Sequence, residues 1–208
     1  QTYRHRDVLS YLDILTHFEE IVENNNMVFI KDVETKIYWT PRHVNLLLSM
    51  LSIGINDKKI NTKDGFLVYN RILNLLKIFN HGKKQCMGES VYSSLVKITC
   101  LLGKIDNISV WIKEMESQKL KIKPRTIYPI FNELINYLIN NLINNLSSFK
   151  KGYKFIINIF KNKLKYWNIS LKDIHYVNLL KLIQVINNQA INNQAISNQA
   201  INNQGINK

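Results

Sequence analysis

A hydrolytic metal centre is built from clustered carboxylates, and this 208-residue chain offers no such cluster. Nuclease chemistry needs several Asp or Glu side chains gathered around Mg²⁺ or Mn²⁺. The seven aspartates (Asp7, Asp13, Asp32, Asp57, Asp64, Asp106 and Asp173) contain no Asp-Asp or Asp-x-Asp pair, and several fall at loop or capping positions. The five histidines (His5, His17, His43, His81 and His175) make no cluster with the two cysteines, Cys86 and Cys100. There is no Gly-rich phosphate loop and no Ser/His/Asp arrangement. Cys100 lies on an apolar helix and reads as a small buried hydrophobe. The absence of a disulfide framework points weakly to a reducing compartment. The segment therefore reads as non-catalytic, with no cofactor of its own and no small-molecule ligand.

What remains is charge. Lys and Arg number 28 against 15 Asp and Glu, a formal net charge of +13 and a pI near 9.7. Such an excess favours a polyanionic partner, either nucleic acid or an acidic membrane surface. Part of it reflects base composition, because Asn, Ile and Lys, all with AT-rich codons, make up 81 of 208 residues. No segment reads as a membrane span. The charge-free run 134–149 holds five asparagines, whose amides are costly in lipid. The chain opens on Gln1, which reads as a segment of a longer protein.

The elements that would present these cations are helices. Residues 88–131 form one complete two-helix unit and the start of the next. Tyr92, Leu95, Val96, Thr99 and Leu102 share a helical face, Gly103 interrupts it, and Ile108, Trp111, Ile112 and Met115 resume the i, i+3, i+4, i+7 spacing. The run Lys121-Ile122-Lys123-Pro124 closes the unit, and Tyr128 stands 36 positions after Tyr92. A recurring two-helix unit of that length is the mark of a helical solenoid. Helices are expected at 6–24, 41–53, 62–80, 88–102, 105–119, 125–140, 148–165 and 170–185, paired as A and B members of about four to five repeats, with no competing strand pattern. Two A-helix openings read alike, Arg42-His43-Val44-Asn45-Leu46-Leu47 and His175-Tyr176-Val177-Asn178-Leu179-Leu180. An Asn-rich insertion near 138–148 helps to lengthen the spacing between them. The expected fold is all-α, a right-handed α-solenoid over 1–185. The INNQA-type array 186–208, apolar every fifth residue, fits neither helix nor strand and is expected to be disordered.

The Tyr-to-Lys-Ile-Lys-Pro frame is similar to the pentatricopeptide (PPR) repeat. The Trp111-x-x-x-Met115 helix, the basic turn and Pro124-Arg125 with Tyr128 resemble the PPR domain of protein-only ribonuclease P, with the turn-to-Tyr spacing one residue shorter. The resemblance implies RNA binding at about one base per repeat, with readers at Asn45, Ser93 and Asn178. Pro129 takes the reader position in the fourth repeat and offers no side-chain hydrogen bond, which favours recognition of shape and backbone. The candidate phosphate contacts are Arg42, Lys97, Lys104, Lys113, Arg125, Lys150, Lys151 and Lys154. Tyr92, Tyr128 and Tyr176 are stacking candidates, with core packing the simpler reading of each. The resemblance further implies a monomer that holds precursor tRNA, a Mg²⁺- or Mn²⁺-dependent nuclease domain outside this segment, and an organellar (mitochondrial or plastid) or nuclear location. The Cys/His zinc site of that family is missing. The rival readings are a general organellar PPR protein binding single-stranded RNA and a TPR-like scaffold for a protein partner.

Overall fold

A computed structural model of the chain describes residues 8–23, 27–30, 33–36, 41–80, 87–142 and 146–188. These are helical apart from one antiparallel strand pair. In chain order the elements are α1 (Val8–Glu23), β1 (Met27–Ile30), β2 (Val33–Lys36), α2 (Pro41–Asn56), α3 (Thr62–Asn80), α4 (Glu89–Leu101), α5 (Ile105–Ser117) and α6 (Pro124–Pro129). A π-helical turn (Ile130–Leu134), α7 (Ile135–Asn140), α8 (Leu146–Asn158) and a second π-helical turn (Ile159–Lys163) follow. The last is α9, residues 173–188.

Every expected helix is present, with small shifts at the ends. The strand pair departs from the all-α expectation: β1 and β2 align Met27 with Lys36 and Ile30 with Val33. Four-residue strands are too short for alternation to register, although Val, Ile, Phe and Thr suit a strand. The Asn-rich stretch is shorter as a connection than its text suggests, because α7 runs to Asn140 and α8 starts at Leu146. Residues 186–188 of the INNQA array continue α9, contrary to the expectation for its first residues, while the rest of the array and Cys86 lie outside the described residues.

The chain divides into two compact units, Gln1–Ile130 and Phe131–Lys208. In the first, α4 packs against α2, α5 and α6, while α2 also packs against α3. The face predicted by helical spacing on α4, with Tyr92, Leu95, Val96 and Thr99, is the one buried, and the buried face of α2 carries Val44, Leu47, Leu48 and Leu51 at the same spacing. Each large apolar side chain fully removed from water contributes about 1.5–3 kcal/mol. Arg71 of α3 ties α1 down through two bonds to the Glu19 carboxylate and one to Thr16 Oγ1. Asn61 caps α3, accepting the Asp64 N–H at 2.9 Å while its own amide donates back to Asp64 Oδ2.

Helix ends repeat one device. At the end of α4, Gly103 adopts φ 64°, its N–H bonds Cys100 O, and Lys104 N–H reaches Thr99 O. This is the Schellman arrangement that glycine favours. Lys58, Lys119 and Asn168 occupy the same left-handed position after α2, α5 and the second π-turn, with the same paired bonds. A lysine there bears a steric cost that glycine lacks, on the order of 1 kcal/mol. Lys119→Gly is therefore expected to raise unfolding stability by about 1 kcal/mol in urea titration. No gain, or a loss, would contradict this account of the cap.

In the second unit, Phe149, Gly152, Ile156, Ile159 and Leu164 form the buried side of α8 and its π-turn. Regular α spacing after Ile159 would bring Lys163 inward. The wider π-turn adds one residue, so Leu164 takes that place at 8% exposure. The earlier π-turn directly follows Pro129, which lacks the N–H needed by a regular i→i−4 bond.

Candidate nucleic-acid interface

The expected reader positions on α2 and α4 sit at seams between helices. Asn45 of α2 faces the start of α4: its amide donates to Ser90 Oγ at 3.1 Å, and its carbonyl oxygen accepts from Ser94 Oγ at 2.9 Å. Ser93 lies at the next seam, between α4 and α6. Its hydroxyl shares a 2.6 Å hydrogen bond with Thr126 Oγ1 and stands 2.9 Å from Glu89 O and 2.8 Å from Glu89 Oε1. Ser93 is 7% exposed. The third reader, Asn178 on α9, is 5% exposed and donates to Phe131 O and Asn132 Oδ1, both at 3.1 Å. Ser93 and Asn178 thus present their polar atoms to protein partners, and Asn45 does so in part. Pro129 is buried.

The two similar sequence segments are also out of phase. On α2 the buried positions are Val44, Leu47, Leu48 and Leu51, whereas on α9 they are His175, Asn178, Leu179 and Leu182. Asn178 therefore occupies the place of Leu47 rather than that of Asn45. His175 Nδ1 accepts the Lys172 N–H at 2.9 Å and its ring lies 6.3 Å from that of Phe131. Burial, followed by the Lys172 charge, pushes its pKa below the usual histidine value. This is a structural histidine at a helix start.

The candidate cations differ in what they already hold. The Arg125 guanidinium grips the Glu89 carboxylate twice, through Nε at 2.9 Å and through Nη2 to the other oxygen, and Lys123 Nζ approaches that oxygen to 3.4 Å. Burial alone would raise the Glu89 pKa. The bonds from Arg125 and Ser93, the Arg125 charge and Lys123 outweigh it and hold the carboxyl down to about 2. Lys104 places its ammonium 4.1 Å from the centre of the Phe66 ring, a cation–π contact. Arg42 and Lys113 are exposed, and Lys97 is partly exposed.

On α8, Lys150, Lys151 and Lys154 are all exposed. They open a longer feature that sequence inspection left unremarked: from 134 to 172 there are seven lysines and no Asp or Glu. Lys161, Lys165 and Lys172 are likewise exposed. The second π-turn leads into two aromatic rings beside Lys163, whose Nζ lies 5.6 Å from the Tyr166 centroid and 5.7 Å from that of Trp167. Tyr166 is 76% exposed. Counting cations per segment, rather than asking which of them follow a motif, would have found this array.

Among the tyrosines singled out for stacking, Tyr92 is buried. Its hydroxyl donates to Glu114 Oε2 at 3.1 Å and accepts from Gln118 Nε2 at 2.7 Å. Burial, with the Glu114 charge beside it, pushes its pKa up to about 12. Tyr128 is half-buried, and Tyr176 is 46% exposed with its ring edge-on to Phe160. Cys100 is buried and not disulfide-bonded. Among the described residues no group of three or more His, Cys, Asp or Glu could hold a metal ion, and no helix is long and apolar enough to cross a membrane. No family model matches this sequence, and no curated protein matches it significantly.

Proposed function

We propose that this chain is an RNA-binding segment of PPR-like helical repeats that holds structured RNA by its phosphate backbone, with precursor tRNA as the substrate and 5′-leader removal by a protein-only ribonuclease P as the setting. The acid-free array at 134–172 carries the reading, with exposed Lys150, Lys151, Lys154, Lys161 and Lys165. Lysines without intervening carboxylates neutralise phosphates and release their counterions, which gives affinity without reading bases. The engagement of Ser93 and Asn178 inside the protein supports the same emphasis on backbone over base identity. The packing of α4 against both α2 and α6, with α3 and α5 paired to α2 and α4, supports a repeat arrangement in the first unit. The cleaving metal centre belongs to a nuclease domain outside this segment.

A scaffold for protein partners is the second reading, favoured by the exposed Tyr176, Leu180 and Ile183 at i, i+4, i+7 on α9. The test is competition binding at physiological salt. Labelled precursor tRNA is displaced by folded mature tRNA or by unstructured RNA of equal length. Preferential displacement by folded tRNA is the expected result. Equal displacement by both would replace the tRNA reading with a general single-stranded RNA binder, and absence of binding would leave the scaffold.

A further inference from the structure

Beside the seam where Asn45 meets Ser90 and Ser94, a cleft of about 180 Å³ opens between α2 and α4. It is lined by Leu48, Ser49, Ser52, Ile53, Ser94 and Lys97. Ser52 is only 4% exposed, and no protein group among the described residues partners its Oγ. A helical serine ordinarily returns its proton to the carbonyl one turn back, as Ser94 does to Ser90 O at 3.1 Å. Folded proteins satisfy nearly all buried polar atoms, with protein, water or a bound group. The space is far larger than the roughly 10–15 Å³ that one water requires.

The lining selects the occupant. It contains hydroxyls and one ammonium but no carboxylate. Among the described residues Lys97 makes no ion pair. A cation would be repelled by Lys97, and an apolar group would leave Ser52 unsatisfied. Ser94 is already committed to Asn45 and Ser90, so it serves as a wall. An anion with several acceptor oxygens meets all the remaining groups at once.

We propose that this cleft is a phosphoryl-binding subsite. The Ser49 and Ser52 hydroxyls donate to phosphate oxygens, and Lys97 neutralises their charge. Its physiological source, a backbone phosphodiester, rests on the RNA reading above; the chemistry of the cleft is the same for free phosphate.

The test uses the full chain and its Ser52→Ala, Ser49→Val and Lys97→Ala variants. Two measurements are made: thermal unfolding with inorganic phosphate against chloride at equal ionic strength, and anisotropy of labelled precursor tRNA over a range of salt. Ser52→Ala removes an unsatisfied hydroxyl, so its melting temperature is expected to hold or rise while affinity falls roughly 10-fold through the lost charge-assisted bond. The slope of log K against log [salt] should not change for Ser52→Ala, and should fall by about 0.7–0.9 for Lys97→Ala. Ser49→Val, at the exposed mouth, should weaken binding without disturbing the fold.

Phosphate-specific stabilisation lost in all three variants, without RNA binding by the wild type, would support the subsite with free phosphate as its source and sink the RNA reading. RNA binding weakened in all three would support the subsite with RNA as the source. RNA binding and phosphate response both unchanged by the substitutions would overturn the subsite and leave the RNA reading standing. Absence of both responses in the wild type overturns both.

Discussion

Replacing Lys150, Lys151 and Lys154 together by alanine is expected to weaken RNA binding on the order of 100-fold near physiological salt. The slope of log K against log [salt] should fall by about 2–3, since each lost phosphate contact removes about 0.7–0.9. The three side chains are exposed on α8, on the side away from its buried Phe149, Gly152 and Ile156. The segment 134–172 contains no Asp or Glu. Melting temperature therefore serves as the control and should stay close to the wild-type value. Unchanged affinity and slope in a well-folded variant would show that α8 faces away from the nucleic acid.

Glu89→Gln is expected to act on stability instead. The Glu89 carboxyl is held at about 2 against an ordinary 4.5, a difference worth roughly 3 kcal/mol of folding free energy at neutral pH. Because the folded-state pKa is depressed, this contribution is fully present above about 4.5 and disappears as pH falls towards 2. The Arg125 side chain is 55% exposed and can return to water when its partner is neutralised, so a measured loss of about 2–3 kcal/mol is expected at pH 7. The penalty should vanish in urea titrations near the acid end of that window. A penalty independent of pH would mean that Glu89 contributes packing rather than charge. Arg125, one of the proposed phosphate contacts, thereby acquires a prior duty. Substituting it should cost stability as well as affinity, so Lys97 and the α8 lysines are the cleaner probes of RNA binding.

The helices were legible because apolar residues at helical spacing name the buried face directly: Val44, Leu47, Leu48 and Leu51 do so on α2. Gly103 announced its own cap, since a glycine after a periodic run is the common signal for a left-handed end. Lys58, Lys119 and Asn168 gave no such notice, because their conformation is imposed by the paired backbone bonds rather than by the residue. The candidate site was less legible. Spacing identifies the face on which Asn45, Ser93 and Asn178 lie, but not which helix will cover that face. In the structure another part of the protein supplies partners for each of them. The shared Val-Asn-Leu-Leu text of α2 and α9 misled for a related reason. His175 is drawn inward at the start of α9, which shifts the buried face by two residues relative to α2.

The π-turn at Ile159–Lys163 gives α8 a local tolerance of length. The buried positions run Phe149, Gly152, Ile156, Ile159 and Leu164, so the last interval is five residues where three or four is the rule. A chain lacking Asn162 would close that interval to four and keep the same five side chains inward on an uninterrupted α-helix. Within an uninterrupted α-helix a one-residue deletion turns everything beyond it by about 100° and brings charge into the core. At this turn the molecule can lose a residue and keep its frame.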